Sequence, residues 1–540
     1  MRLPIILLFI VTLLGGLLRF YQLGQTPQSL TWDEVAIGYN AYSILRTGRD
    51  EYGNFLPTSF RSFEDYKSPL YVYGTTLSLA VFGKSEFAIR FLSAFVGTLS
   101  IPLLFFWANA VLRTNKSFIS LLTSLLWAIT PWSFHFSRVA FEANLALFFT
   151  ILSTTLLLHW YRWPINRLHL LFSSTLTAVA AMYSYASTRL FAPLIFVCLV
   201  LIFWRISVAR FKPLLFAALF AIILLLPQFL ELTQGTGLAR YQATSIFYRP
   251  ELTQKRDTRI LAQPNFFLLP VIYNHRLPYL QEYTRNYLSH FHYHFLFSQS
   301  MPTRFHIPGT GLLPLWTLPF LLLGTISIFR YKDIFQASPL LTWTLLSIIP
   351  AAFTWDSPNP IRAYLILPAL LLLTALGFWT IKVHLTNIPK TIYFTILVCL
   401  FCFSTLYTTL NYFTHLNLEF AQAWLWGRKE MITQVNSLQH EFHTVKISLS
   451  LDWSYIWYLW YANIDPQTYL DLGGTRSGAF DYAAHRIDNI HFTNFDYSAE
   501  SQNQTGILFV GAPQDFPPDF IPSYVIKNSE GQKLIYLVRS

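Results

Sequence analysis

Asp33 and Glu34 stand side by side just past the first apolar run of the chain, in Gln28-Ser-Leu-Thr-Trp-Asp-Glu. Two carboxylates at the edge of hydrocarbon are costly to keep there, which makes them functional candidates. A carboxylate held in place can take the proton from an attacking nucleophile. Among the basic residues on the same side, four stand singly beside apolar runs or in the first loop. They are Lys67 in Asp65-Tyr-Lys-Ser-Pro-Leu, Arg138 in Phe136-Ser-Arg-Val, Arg189 in Ala186-Ser-Thr-Arg and Arg362 in Asn359-Pro-Ile-Arg. Each alone fits an interfacial side chain whose head reaches water. Together they suit a lipid phosphate, which arginine grips with two hydrogen bonds and lysine with a point charge. A carboxylate base beside such a phosphate points to group transfer from a lipid carrier.

The same residues have structural readings. Asp33 fits the N-cap, and Glu34 the first turn, of a helix running Glu34–Leu45. The two readings are compatible, because a cap fixes a carboxylate at a loop edge. Glu142 follows Arg138 by four residues, so a helical turn would place both on one face, as an ion pair or as part of the site. The cluster His290-Phe-His-Tyr-His294, with His275 and His306 nearby, could ligate a metal. Its alternating spacing lacks a partner carboxylate, and an interfacial aromatic belt is the better reading. No DxD-type pair accompanies the first loop, so a divalent metal is not favoured. No phosphate-loop or dinucleotide fingerprint is present, which leaves ATP and soluble nucleotide cofactors unsupported.

The elements that must position these groups are membrane helices. Of the 540 residues, 53% are hydrophobic and only 12% charged, against about 25% charged in a soluble protein. The apolar residues fall in long runs near 4–20, 88–112, 117–135, 140–160, 168–186, 190–205, 211–231, 311–330, 338–354, 363–381 and 391–410. That is the signature of a polytopic α-helical membrane protein. The net charge of +11 is no nucleic-acid footprint, because the lysines and arginines are scattered between the apolar runs. Cys198, Cys399 and Cys402 all lie in these runs and say nothing of disulfides. The first run lacks a small-residue cleavage site and is expected to stay as a helix.

Alternate connections carry Arg113 and Lys116, Arg162 and Arg167, Arg205, Arg210 and Lys212, Arg330 and Lys332, and Lys382 and Lys390. With Arg2 they define one positive, cytoplasmic face. The other face then receives loop 21–87, the long loop 232–310 and everything after residue 410. Counting the apolar segment Ser68–Gly83 as a span would reverse every later loop. It is therefore expected to lie at the membrane interface or packed on the bundle. Residues 411–540 are more polar, with strand-like runs Val445–Leu451, Gly506–Val510 and Leu534–Val538 and helix-like stretches Ala421–Leu438 and Ser454–Ala462. They are expected to form a small extracytoplasmic α/β domain beside a membrane domain of residues 1–410.

A run of short motifs now carries a resemblance. Arg19-Phe-Tyr-Gln-Leu is followed by Trp32-Asp-Glu, Gly38-Tyr-Asn-Ala, Thr47-Gly-Arg-Asp-Glu-Tyr-Gly, Tyr66-Lys-Ser-Pro-Leu-Tyr and Gly83–Arg90. Further on come Ser137-Arg with Glu142, Asn359-Pro-Ile-Arg before Leu367-Pro, and Trp424-Leu-Trp-Gly-Arg-Lys-Glu. In order and topology, residues 1–410 resemble the GT-C membrane glycosyltransferases of the family 39 type. The nearest groups are the protein O-mannosyltransferase-like and aminoarabinose transferase-like enzymes. The resemblance implies a GT-C fold with about 11 transmembrane helices.

It also implies a hexosyl or pentosyl transferase that takes its sugar from a polyprenyl-phosphate donor outside the cytoplasm, with inversion at the anomeric carbon. Asp33 would be the general base, with Glu34 beside it. Lys67, at the family's Lys-x-Pro position, would hold the donor phosphate, with Arg138, Arg362 and Arg189 as further phosphate contacts. Glu142 and Tyr66 would lie near the acceptor or support its neighbours. The tail does not resemble the MIR domains of eukaryotic mannosyltransferases, and the first loop lacks the aminoarabinose enzymes' spacing. The acceptor is thus left as a protein, lipid or glycan, and a bacterial-style plasma membrane is the expected location. Two rivals remain at this point. A lipid or polysaccharide transporter should show charged or broken spans near mid-membrane and paired repeats, which are not visible here. In a non-catalytic subunit, Asp33 would be only a cap.

Overall fold

The computed structural model describes residues 2–540 except Glu64, 113–116, 164–166, 234–240, 263–273, His275, 299–302, 331–333, 385–388, 476–484, Gln504 and Asp519. Arg113, Lys116, Lys332 and His275 therefore lie outside the described residues. Each expected apolar run carries helix. In chain order the first part comprises α1 (Arg2–Phe20), α2 (Trp32–Thr47), α3 (Pro69–Phe82), α4 (Glu86–Leu112), α5 (Ser117–Ile129), α6 (Pro131–Phe136) and α7 (Glu142–Arg162). It continues through α8 (Leu168–Ser184), α9 (Ala186–Ile202), α10 (Trp204–Ala209) and α11 (Phe211–Thr233). Helices Leu318–Arg330, Ile334–Leu346, Leu367–His384 and Lys390–Leu410 complete the apolar set. Among the described residues six helices are long and apolar enough to cross a bilayer, and six further apolar helices are shorter.

Two expected spans are interrupted by proline. The run 117–135 splits at Thr130 because Pro131 brings no N–H to the carbonyl of Trp127. That carbonyl is not left bare: it accepts from Arg19 Nη2 at 3.2 Å and from the Ser133 hydroxyl, while Arg19 Nη1 reaches Ala128 O at 3.2 Å. In hydrocarbon an unmet carbonyl costs several kcal/mol or so, so the break requires such donors. The run 338–354 splits in the same way, into Ile334–Leu346 and Ile349–Ala352 with Pro350 at the restart. Helix α3, 14 residues long, spans only about 21 Å at 1.5 Å per residue. It packs on α2 and α4, one of the two placements expected for it.

Helices Leu318–Arg330 and Leu367–His384 approach at facing glycines. A Cβ on Gly324 would overlap the Leu373 carbonyl, and one on Gly377 would overlap that of Phe320. Small residues let membrane helices gain contact without any hydrophobic drive between them.

The C-terminal part carries a mixed six-stranded sheet in the order β4-β5-β3-β6-β8-β7. Its strands are β3 (Thr444–Ile447), β4 (Arg486–Ile487), β5 (Ile490–Phe492), β6 (Ile507–Gly511), β7 (Tyr524–Lys527) and β8 (Lys533–Arg539). β1 (Phe60–Ser62) and β2 (Asp65–Lys67) form a separate hairpin in the first loop. The expected strand Val445–Leu451 stops at Ile447, because Leu449–Leu451 turns as a 3-10 helix.

The C-terminal domain is seated on α2. Helix Ser454–Tyr461 (SYIWYLWY) buries Ile456, Trp457 and Trp460 in one core with Val35, Ile37 and Tyr39. Gly38 makes room for it, since a Cβ there would press on Ile89 and stand 3.3 Å from the Trp460 ring. A polar tie crosses the same contact at Glu51, which is almost wholly buried. Its carboxylate accepts from Asn40 Nδ2 at 3.0 Å and from Thr475 Oγ1 at 2.9 Å. Burial pushes this carboxyl up to about 7, against the pull of those two donors.

Two predictions follow from these contacts. Gly377→Ala should destabilise the helix pair by about 1–3 kcal/mol, as overpacking does, read as a lower melting temperature in detergent. For Glu51 the folded state holds its proton more tightly than the unfolded one, so stability is highest below pH 4.5 and falls as pH rises towards 7. Glu51→Gln should flatten that slope in melts taken across the same window.

Candidate active site

The cap of α2 separates the two leading acids. The helix starts one residue before Asp33, with Thr31 and not Asp33 at the N-cap. Thr31 Oγ1 accepts from Glu34 N at 3.3 Å, and Glu34 Oε2 accepts from Thr31 N at 3.0 Å. This capping box turns Glu34 inwards. Its carboxylate accepts from Arg90 Nε at 2.8 Å, Arg90 Nη2 at 3.2 Å and Ala140 N at 3.2 Å. Both side chains of the Glu34–Arg90 pair are fully buried. Glu34 therefore does not line the cavity beside Asp33, where it was expected, and braces the loop through Arg90 instead. Arg90 spends its remaining donors on Leu23 O at 3.3 Å, Pro27 O at 2.7 Å and Ser29 O at 2.9 Å.

Asp33, about 100° further round the helix, points into a cavity of about 280 Å³. One of its oxygens accepts from Lys67 Nζ, and the other stands 3.3 Å from Arg304 Nη1. Lys67 reaches it from the hairpin, where Phe60 pairs with Lys67 and Ser62 with Asp65. Alternation along β2 sends Asp65 and Lys67 to the cavity and Tyr66 to the opposite face. Tyr66 accordingly does not line the cavity, which leaves the supporting place of the two expected for it.

Arg362 also lines the cavity, ion-paired with Asp356. The turn carrying both is braced by Asn359, which donates to Asp356 Oδ2 at 2.8 Å and accepts from Ile361 N at 3.0 Å. Glu142, the first residue of α7, faces the same space. Arg138 does not. Its guanidinium donates to the carbonyls of Leu18 at 2.8 Å, Arg19 at 3.0 Å, Gln22 at 3.3 Å and Thr26 at 3.1 Å. Tyr412 and Phe413 lie against it at 4.9 and 4.8 Å. The Nη donors of Arg138 are thus spent on backbone outside the cavity, in place of the phosphate contact expected of it. Arg189 stands behind the hairpin exit, 3.4 Å from Ser68 Oγ and outside the cavity lining.

Among the lining residues that the sequence reading did not single out are Arg304, Asp356 and Trp453. Arg304, from the long loop, lies 4.8 Å over the Trp32 ring, and its carbonyl bonds His135 Nε2 at 2.8 Å. Beside Phe305, it is the only lysine or arginine between Arg285 and Arg330, an isolated charge of the same kind as Lys67. Asp356 and Trp453 carried no such signal. Trp453 brings the C-terminal domain to the cavity, 4.6 Å from the Phe63 ring and 5.4 Å from Trp32.

Within the histidine cluster, His292 and His294 are exposed and His290 acts as a strut. His290 is buried, with Nδ1 2.7 Å from Asn286 O and Nε2 accepting from Asn359 N at 3.4 Å. This corrects its reading as an interfacial ring. Burial pushes His290 and His306 down to about 4, so both are neutral at pH 7. Among the described residues no three His, Cys, Asp or Glu side chains are grouped to hold a metal.

The site thus gathers four carboxylates (Asp33, Asp65, Glu142 and Asp356) and three cations (Lys67, Arg304 and Arg362). Such a cavity can bind an anion on its cations and accept a proton on a carboxylate. The two adjacent acids should separate cleanly in melting experiments. Glu34→Ala strands a buried guanidinium and should cost about 3–5 kcal/mol. Asp33→Asn acts on a side chain one-third exposed, keeps its shape and hydrogen-bonding capacity beside the nearly buried Lys67, and should cost about 1–2 kcal/mol.

Residues 66–230 match the family model described as dolichyl-phosphate-mannose-protein mannosyltransferase. No curated protein sequence matches the chain significantly. Among solved structures, the chain is similar to ArnT from Cupriavidus metallidurans bound to undecaprenyl phosphate, at 13% identity and a TM-score of 0.52, covering 99% of this chain and 97% of that one. It is also similar to the archaeal oligosaccharyltransferase AglB from Archaeoglobus fulgidus, in complex with an inhibitory peptide and a dolichol-phosphate. That likeness has 14% identity and a TM-score of 0.50, covering 95% of this chain and 69% of that one. The family match runs from β2 into α11, and the fold is shared with ArnT along nearly the whole chain.

Proposed function

We propose that the cavity transfers a hexosyl or pentosyl group from a polyprenyl-phosphate donor to an acceptor hydroxyl or similar nucleophile, with inversion. The observation that carries this reading is Asp33 at the start of α2, held between Lys67 and Arg304 with Arg362 on the same cavity. The donor phosphate takes Lys67, Arg304 and Arg362 as its counter-charges. Asp33, relieved of its cations, accepts the acceptor's proton as that oxygen bonds to the anomeric carbon. The bond from that carbon to the phosphate oxygen breaks, and its electron pair leaves with the polyprenyl phosphate. The cations stabilise the charge that develops there, so no strong acid is needed on the leaving side. The surrounding carboxylates suit a transition state with positive charge on the sugar ring.

The donor's hydrocarbon needs an apolar path. An apolar groove of about 680 Å³ between α8, α9 and α11 offers one, and α9 begins beside Arg189 and Ser68. The acceptor, a protein, lipid or glycan, enters from the side closed by Trp453. Residues 411–540 then act as a wall of the site as well as a domain. The cavity lies at the outer face of a plasma membrane, with the N-terminus in the cytoplasm. Arg162 and Arg210 support that orientation. They cluster at the far ends of α4 and α7, where Arg162 bonds Asn109 O and Arg210 bonds Trp160 O.

The test is transfer of labelled sugar from a polyprenyl-phosphate panel to membrane extracts, with variants at equal expression. Asp33→Asn leaves the Thr31 cap intact and should lower transfer about 10²–10⁴-fold. Lys67→Met and Arg304→Met should each cost about 10²-fold or more. Equal transfer by wild type and Asp33→Asn would remove Asp33 as the base.

A further inference from the structure

We propose that a second cavity, where the ends of α1, α3 and α4 meet the C-terminal domain, binds the headgroup of an anionic phospholipid. This cavity, about 650 Å³, is lined by Leu23, Lys84, Glu86, Phe87, Lys429 and Trp460 among others. It shares no lining residue with the catalytic cavity.

Its charge is unbalanced in one direction. The Glu86 carboxylate is already met by Lys429 Nζ at 2.9 Å and Tyr461 OH at 3.0 Å. Among the described residues Lys84 has only neutral partners: it donates to Trp460 O at 2.6 Å and Asn463 Oδ1 at 3.0 Å, and lies 5.0 Å over the Tyr42 ring. A half-buried ammonium without a carboxylate is costly, and burial lowers Lys84 to about 8. A phosphodiester in the cavity would supply the missing negative charge through charge-assisted hydrogen bonds.

The second observation concerns the tail. Phe87, Phe91 and Phe95 recur every fourth residue on α4 and so form one stripe running from the cavity along the helix. Phe82 joins it at 5.3 Å from Phe87 and 4.5 Å from Phe91, and Phe91 stacks on Phe95 at 5.8 Å. Phe82 and Phe95 are 44% and 45% exposed. A charged pocket at the head of an exposed aromatic stripe on a membrane helix matches an amphiphile with an anionic head and a hydrocarbon chain. A zwitterionic lipid fits less well, because its ammonium would sit near Lys84.

The experiment uses full-length protein in phosphatidylcholine nanodiscs with photoactivatable phosphatidylglycerol. Label should appear on peptides carrying Phe82–Phe95. Added phosphatidylglycerol should suppress it, while extra phosphatidylcholine and soluble glycerol phosphate should not. Lys84→Gln should weaken labelling about tenfold, the worth of one charged hydrogen bond, and Lys84→Arg should retain it. Equal competition by phosphatidylcholine, or label confined to other segments, would overturn the proposal. Competition by glycerol phosphate as strong as by the lipid would assign the cavity to a soluble anion instead. Because the readout is binding, the result does not depend on the proposed transfer reaction.

Discussion

The buried Glu34–Arg90 pair is the constraint on which the site depends. Residues 21–31 between α1 and α2 contain no regular ladder, so their carbonyls need donors from elsewhere. Arg90 supplies Leu23, Pro27 and Ser29, and Arg138 supplies Gln22 and Thr26. Glu34 fixes Arg90 in that role and closes the capping box of α2 at the same time. A buried ion pair adds little net stability against an apolar replacement, but breaking it leaves an uncompensated charge. Its effect here is directional. It sets the path of the loop and the rotation of α2, and that rotation leaves Asp33 facing the cavity.

The cavity is built from segments far apart in the chain. Asp33 comes from α2, Lys67 from the hairpin, Glu142 from α7, Arg304 from the long loop and Arg362 from the turn before helix Leu367–His384. Several of its charges are paired with one another, as in Asp33 with Lys67 and Arg304 and Asp356 with Arg362. Such pairing keeps charged groups tolerable at a membrane surface until a ligand replaces one partner. In the proposed reaction the donor phosphate makes that exchange, so binding the donor and freeing the base are one event.

The C-terminal domain belongs to this arrangement. Trp453 forms part of the cavity wall, Trp457 Nε1 donates to Leu30 O at 3.3 Å, and Glu51 ties the first loop to Thr475. The apolar helix Ser454–Tyr461 would be out of place on a free-standing soluble domain. Seated on α2 it is core. Motion of this domain would therefore act directly on the helix that carries Asp33.

How much of this was legible in the residues differs by level. The helices were legible because hydrocarbon demands long apolar runs with every backbone group satisfied within the segment. Asp33, Lys67 and Arg362 were legible as candidates because isolated charges beside such runs are rare. Glu34 and Arg138 passed the same filter for a different reason, since buried charges that brace a loop look identical in one dimension. Arg304 and Asp356 lay in loops whose folding no periodicity reports. The sequence by itself determined that this is a multi-pass membrane protein with charged groups gathered in a few loops, because solvation in lipid acts on each segment locally. Only the tertiary structure decided which charges face the cavity and which face the core. That choice depends on helix rotation and on partners more than fifty residues away, such as Arg90 for Glu34, and no local rule encodes it.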